Sequence, residues 1–150
     1  MDNTDIRILK LLEENGRITH EDISKHLHLS RPAVHKRIIK LEEKGIIRGY
    51  RGVVNWDKLG QSIRVLVSIK FHHYNLQETL KQILEIQVPN VTIEEGHRLA
   101  GEWCMVLKVR ATSPDDIKNL IDEMYRIQGV KETSTTFVLS TICENGINNL

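Results

Sequence analysis

Four cations, Arg31, Lys36, Arg37 and Lys40, fall within ten residues. Guanidinium and ammonium groups at that density pair with phosphate or reach the edges of bases. The same stretch carries Ser30, Pro32, Ala33 and His35. Its small residues let a surface approach closely. No Gly-rich phosphate loop, nucleophile elbow or paired metal-ligand motif stands elsewhere. His72 and His73 are neighbours, which a strand points to opposite faces, so they read as polar strand-end residues. His26 and His28 flank a turn without a third ligand nearby and are read the same way. Cys104 and Cys143 lack ligand spacing and read as free thiols in a reducing compartment. Trp56 and Trp103 read as packing anchors. No catalytic residue, metal ligand or cofactor is assigned.

The cations need a rigid support, and Leu29 to Gly45 supplies it. Ser30 can accept from the free N–H groups of a first helical turn, Pro32 sits where no N–H is needed, and Gly45 gives a left-handed stop. At about 100° per residue, Val34, Ile38 and Leu41 form one stripe, while Pro32, Ala33, Lys36, Lys40 and Glu43 lie opposite. A helix built for a DNA major groove has this form, and so does a solvated surface helix rich in lysine. What precedes it favours the first. Ile6, Leu9 and Leu12, with Ile8 and Leu11 beside them, predict a helix capped by Asp2 or Asn3 and ended at Asn15–Gly16. Thr19 with Glu21 and Asp22 caps a second, short helix facing inward through Ile23 and Leu27. The tight turn His28–Leu29–Ser30 then makes a helix-turn-helix. Ile46–Ile47 and the run Arg48–Gly49–Tyr50–Arg51–Gly52 suggest a strand and a basic turn serving as a wing.

Net charge is only +1 over 150 residues, so any nucleic-acid contact must be a local patch. Residues 1–50 hold ten Lys and Arg against eight Asp and Glu, and residues 51–150 eleven against twelve. No run approaches the roughly 20 apolar residues of a membrane span, and Met1–Lys10 mixes charges with apolar residues as no secretory signal does. A cytoplasmic protein without membrane contact is expected.

Residues 51–61 read as an ordered connector that turns at Asn55 and Gly60. From residue 62 the pattern changes. Ile63, Val65, Val67, Ile69 and Phe71 alternate with polar neighbours as a half-buried strand. A helix on Leu76, Leu80, Ile83 and Leu84 follows. Strands from Val91 to Glu95 or His97 and from Trp103 to Val109 come next. A helix starts at Ser113–Pro114–Asp115–Asp116 and buries Ile117, Leu120, Ile121 and Met124, and a last strand runs from Val130 to Ile142. Strand, helix, strand, strand, helix, strand is a ferredoxin-like βαββαβ order, an α+β arrangement with both helices on one face of an antiparallel sheet. Leu66, Cys104 or Met105 with Val106, and Phe137 or Val138 would leave the other face apolar, which predicts a homodimer through sheet faces.

Asp5–Ile6 with Ile8–Leu9, Gly16–Arg17, Leu29–Ser30, Val34, Arg37–Ile38, Leu41–Glu42 and Gly45–Ile46–Ile47 resemble the winged helix-turn-helix half of Lrp/AsnC transcription regulators. Leu99 to Val109 and Gly129–Val130 through Thr133 to Leu139 resemble the signatures of the family's second, ligand-responsive RAM domain. The resemblance implies a regulator that binds double-stranded DNA through Ser30, Arg31, Pro32, Ala33, His35, Lys36, Arg37 and Lys40. It further implies dimers that assemble into tetramers or octamers, and an amino-acid effector held near Gly101, Trp103, Cys104, Met105, Thr133 and Thr135. The last group also suits plain turn and sheet roles. Three positions depart from the pattern: Ile39 where a polar residue is usual, Cys104 where aspartate commonly follows the glycine, and Met105 for an aromatic. Sirohaem decarboxylases share the two-domain layout, with His97–Arg98 and Trp103 as imaginable cleft residues. A continuous regulator motif with a basic outer face would be unnecessary in such an enzyme.

Overall fold

Short-range capping decides where the first helices begin. In the computed structural model, which describes residues 1–72, 75–144 and 146–148, Asp2 and Asp5 form a reciprocal capping box that starts α1 (Asn3–Glu14). Thr19 caps α2 (His20–Leu27), accepting from the Asp22 N–H at 3.1 Å. Ser30 caps α3 (Arg31–Glu43), accepting from the Ala33 N–H at 3.3 Å with proline in the first turn. Gly45 at φ 65° closes α3: its N–H donates to the Glu42 carbonyl and that of Ile46 to the Leu41 carbonyl, the paired bonds of a Schellman stop. Between α2 and α3 the left-handed residue is His28, at φ 54°.

Ile8, Ile23, Leu27, Val34, Ile38 and Leu41 make the core of these helices, with Leu9, Leu11, Leu12, Ile18, Leu29 and Ile47 packed around it. Burial of each such side chain contributes about 1.5–3 kcal/mol. Ile8 is fully buried, whereas Ile6 is 41% exposed. The expected wing strand does not form: residues 46–55 carry no strand. The Tyr50 hydroxyl instead donates to Glu42 on α3 at 2.9 Å. Burial and that carboxylate push the phenol up to about 12.

The second body is a four-stranded antiparallel sheet of β1 (Ile63–Phe71), β2 (Val91–Arg98), β3 (Met105–Ala111) and β4 (Val130–Phe137), ordered β2-β3-β1-β4. Helices α4 (Leu76–Leu84) and α5 (Pro114–Arg126) complete the ferredoxin-like order. Ser113 and Asp116 form the capping box of α5. Val65, Val67, Ile69, Leu107 and Val109 meet Ile83, Ile117, Leu120 and Met124 in one core. Strand parity settles two residue choices that the sequence left open. Met105 pairs with Ile69, is buried in that core and so faces the helices. Phe137 pairs with Val65 on the same side, half exposed at the end of β4.

The face away from the helices is therefore not the apolar one expected. Around Leu66 and Val106 the register sets Arg64, Ser68, Lys70, Lys108, Arg110, Glu132, Ser134 and Thr136. Of the alternatives expected there, Cys104 or Met105 and Phe137 or Val138, Met105 and Phe137 belong to the other side, because β1 fixes the parity of both neighbours. Trp56 precedes a short 3₁₀ turn (Asp57–Leu59) and lies 4.2 Å over the Arg110 guanidinium.

The last long strand ends at Phe137 rather than Ile142. A short antiparallel pair follows, β5 (Cys143–Glu144) with β6 (Ile147–Asn148). Among the described residues two compact units result: Met1–Val54 with the strand pair β5–β6, and Asn55–Ile142. Among the described residues no helix is long and apolar enough to cross a membrane, and no cluster of three metal-ligating residues occurs. His73 lies outside the described residues.

Candidate nucleic-acid interface and effector site

The inward stripe of α3 is fixed by Val34, Ile38 and Leu41, each 3% exposed or less, which turns the opposite face outward. Ser30, Arg31, Pro32, His35, Lys36 and Lys40 are exposed and Ala33 is half-buried. Lys36, Lys40 and Lys44 recur every four residues along α3 and its cap, and all three line a groove of about 550 Å³ beside the start of α1. None of these lysines has an ion-pair partner among the described residues. Their ammonium groups are available to an external anion. Ile39 is 37% exposed on the flank of this face.

Arg37 is the correction to the expected set. Its Nη1 lies 2.7 Å from Asp2 Oδ2 and 2.7 Å from Asp5 Oδ1, so the guanidinium is engaged by the box that caps α1. Each of those carboxyls is held below its ordinary value, first by the other's backbone N–H and next by Arg37. The guanidinium is correspondingly raised. Arg37 ties α3 to α1, and helical spacing alone does not reveal carboxylates supplied by another helix.

In the second unit the two signatures meet at one end of the sheet. The Leu99 N–H donates to the Cys104 carbonyl and the Cys104 N–H to the Ile69 carbonyl, both at 2.9 Å, so the turn containing Gly101 closes onto β1. Ile69 pairs with Met105 on one side and Thr133 on the other. Thr133 donates from its N–H and its hydroxyl to the Tyr125 hydroxyl, each at 3.2 Å. Thr135 is half-buried opposite Val67. Cys104 is half-buried against the apolar core, and Met105 lies in that core, which withdraws the Met105 side chain from any solvent-facing pocket.

Lys70, Glu102 and Glu132 were missed by the sequence reading. The Lys70 ammonium sits 4.5 Å from the Trp103 ring centre and 3.1 and 3.2 Å from the carboxylates of Glu102 and Glu132. Hydrogen bonds that Lys70 donates to Glu102 and then to Glu132 raise its pKa. Glu102 stands beside Trp103 in the signature and offered a local signal. Glu132 offered none, because only strand register brings it opposite Lys70.

A trihelical DNA-binding head with an outward cationic helix, joined to an antiparallel α+β body, defines a two-part transcription regulator. Residues 1–48 match the family described as winged helix-turn-helix DNA-binding, and residues 64–147 match the Lrp/AsnC ligand binding domain. The HTH-type transcriptional regulator FL11 of Pyrococcus abyssi is 31% identical over 141 residues, 94% of this chain and 91% of its own. LrpB of Bacillus subtilis, also an HTH-type transcriptional regulator, is 33% identical over 126 residues, 84% of this chain and 82% of its own. A Neisseria meningitidis transcriptional regulator, solved as a complex with L-Met, superposes with a TM-score of 0.86 at 25% identity, covering 96% of this chain and 93% of the other. The chain belongs to the Lrp/AsnC family of transcription regulators. It is a DNA-binding regulator with an effector-binding domain, and the decarboxylase alternative finds no support among these relatives.

Proposed function

We propose that the chain binds double-stranded DNA in the cytoplasm as a homodimer, with the outer face of α3 in the major groove, and that assembly to tetramers or octamers builds on that dimer. The observation that carries the docking is the row Lys36, Lys40 and Lys44, exposed at four-residue intervals and free of acidic partners among the described residues. Arg31 and His35 flank the row, while Ser30, Pro32 and Ala33 permit close approach. Arg37 takes a positioning role through α1.

Selection of promoter fragments followed by titration at several salt concentrations tests this. Lys36→Ala should weaken specific binding by about 1–3 kcal/mol if it reads a base, and Lys40→Ala should lower the salt slope by about one if it holds a phosphate. Arg37→Ala should leave that slope unchanged. Unaltered binding in both lysine variants would refute the docking. Footprints should show two half-sites on one DNA face, a whole number of turns apart, and a lone half-site would rule out the dimer.

The effector reading places a small amino acid at the turn containing Gly101 and Trp103, with Thr133 and Thr135 near it. The backbone around Gly101 suits a carboxylate; an effector's ammonium group would share Glu102 and Glu132 with Lys70, a role that the Cys104 thiol cannot fill. Titration with individual amino acids should change indole emission in the protein and in Trp56→Phe, and leave emission unchanged in Trp103→Phe. A signal that survives in Trp103→Phe argues against this placement.

A further inference from the structure

We propose that His20 and His35 form a two-imidazole site for a late first-row divalent metal ion such as Zn²⁺. His20 is the first residue of α2 and His35 lies in the second turn of α3. Their ring centres are 5.2 Å apart with the planes at 43°. A tetrahedral ion with Zn–N bonds of about 2.0–2.1 Å holds two imidazole centres about 5 Å apart. The pair already has that spacing.

Two further observations point the same way. His26 and His97 have polar partners, the Asp22 carbonyl at 2.8 Å and Glu95 at 3.3 Å. Neither His20 nor His35 has a hydrogen bond or ion pair among the described residues, so their ring nitrogens remain open to a ligand. The helices that carry them are locked together through Ile23, Leu27, Val34 and Ile38, so the imidazoles are brought together before any ion arrives. Imidazole suits zinc, copper and nickel. No third His, Cys, Asp or Glu joins the pair among the described residues, which leaves the other coordination positions to water and makes the ion exchangeable.

The test is calorimetric titration of Zn²⁺ into the full chain at neutral pH, without DNA, so that its outcome is independent of the docking proposed above. One ion per chain is expected. His20→Gln and His35→Gln should each weaken binding by about tenfold or more, since even changes outside the ligand shell cost that much. His26→Gln should leave it unaltered. His35 is exposed, so its variant keeps the test decisive even if His20→Gln perturbs folding. Absence of Zn²⁺ binding, or equal affinity in the unmodified protein and His35→Gln, would overturn the site.

Discussion

Glu94→Ala should lower the stability of the second unit by about 3–5 kcal/mol, the cost of leaving a buried charge without its counter-ion. The Arg110 side chain is 5% exposed, and its Nε lies 2.7 Å from Glu94 Oε1. The contact is close but not aligned as a hydrogen bond, and Arg110 Nη1 is buried without a hydrogen-bond acceptor. Trp56 covers the guanidinium, and Lys108 stands 3.6 Å from the other Glu94 oxygen. Glu94 reaches this position because the β2–β3 register shifts between Ile93 and Glu95, leaving Glu94 as the extra residue of a bulge that turns its side chain toward Arg110. Urea unfolding should show the loss in the single variant. The paired replacement Glu94→Leu with Arg110→Met should return most of it, because an apolar pair carries no desolvation penalty. A loss below about 1 kcal/mol in Glu94→Ala would mean that solvent reaches the guanidinium and that the pair is a surface ion pair in energetic terms.

Gly129→Ala should destabilise the same unit by about 3 kcal/mol, the upper end of the overpacking range. A Cβ at Gly129 would overlap Thr79 Oγ1 and lie 2.7 Å from its Cγ2 and 2.8 Å from its Cβ. Rotating the threonine moves the first two atoms and leaves the third in place, so α4 itself must shift. Thr79 is 4% exposed and its hydroxyl donates to the Asn75 carbonyl at 3.2 Å. The Gly129 carbonyl accepts from the His72 N–H at 2.9 Å, so retreat from the other side breaks a bond to the end of β1. For a unit of this size each kcal/mol lowers the melting temperature by about 4–8 °C. Calorimetric scanning should show the fall in Gly129→Ala and partial recovery in the double variant with Thr79→Gly. An unchanged melting temperature in the single variant would show that α4 moves freely.

What the sequence made legible was local. The caps at Asp2, Thr19, Ser30 and Ser113 act over three residues, and Gly45 stops α3 within its own turn, so all could be read without knowing what lies across the molecule. The same holds for the inward stripe Val34, Ile38 and Leu41. Misreadings arose wherever a second element decided. Arg37 looked like a free cation until α1 supplied Asp2 and Asp5. Met105 and Phe137 carried apolar side chains whose face depended on pairing with Ile69 and Val65, and a one-residue slip reverses that face. Ile46 to Gly52 had the composition of a strand and turn, but no ladder forms there. The Lys70–Glu132 contact and the His20–His35 pair join residues too distant in sequence for spacing to reveal them.

The strand pair Cys143–Asn148 groups with Met1–Val54, so the DNA-binding unit is interrupted in the chain by the whole of the other one. A translating ribosome releases α1, α2 and α3 well before the residues that complete their unit. At about 5–20 residues per second, the interval spans several seconds, during which the sheet of the second unit can form. The head therefore reaches its final composition only after the body has been synthesised, and a nascent chain carries a trihelical core well before it carries a finished regulator.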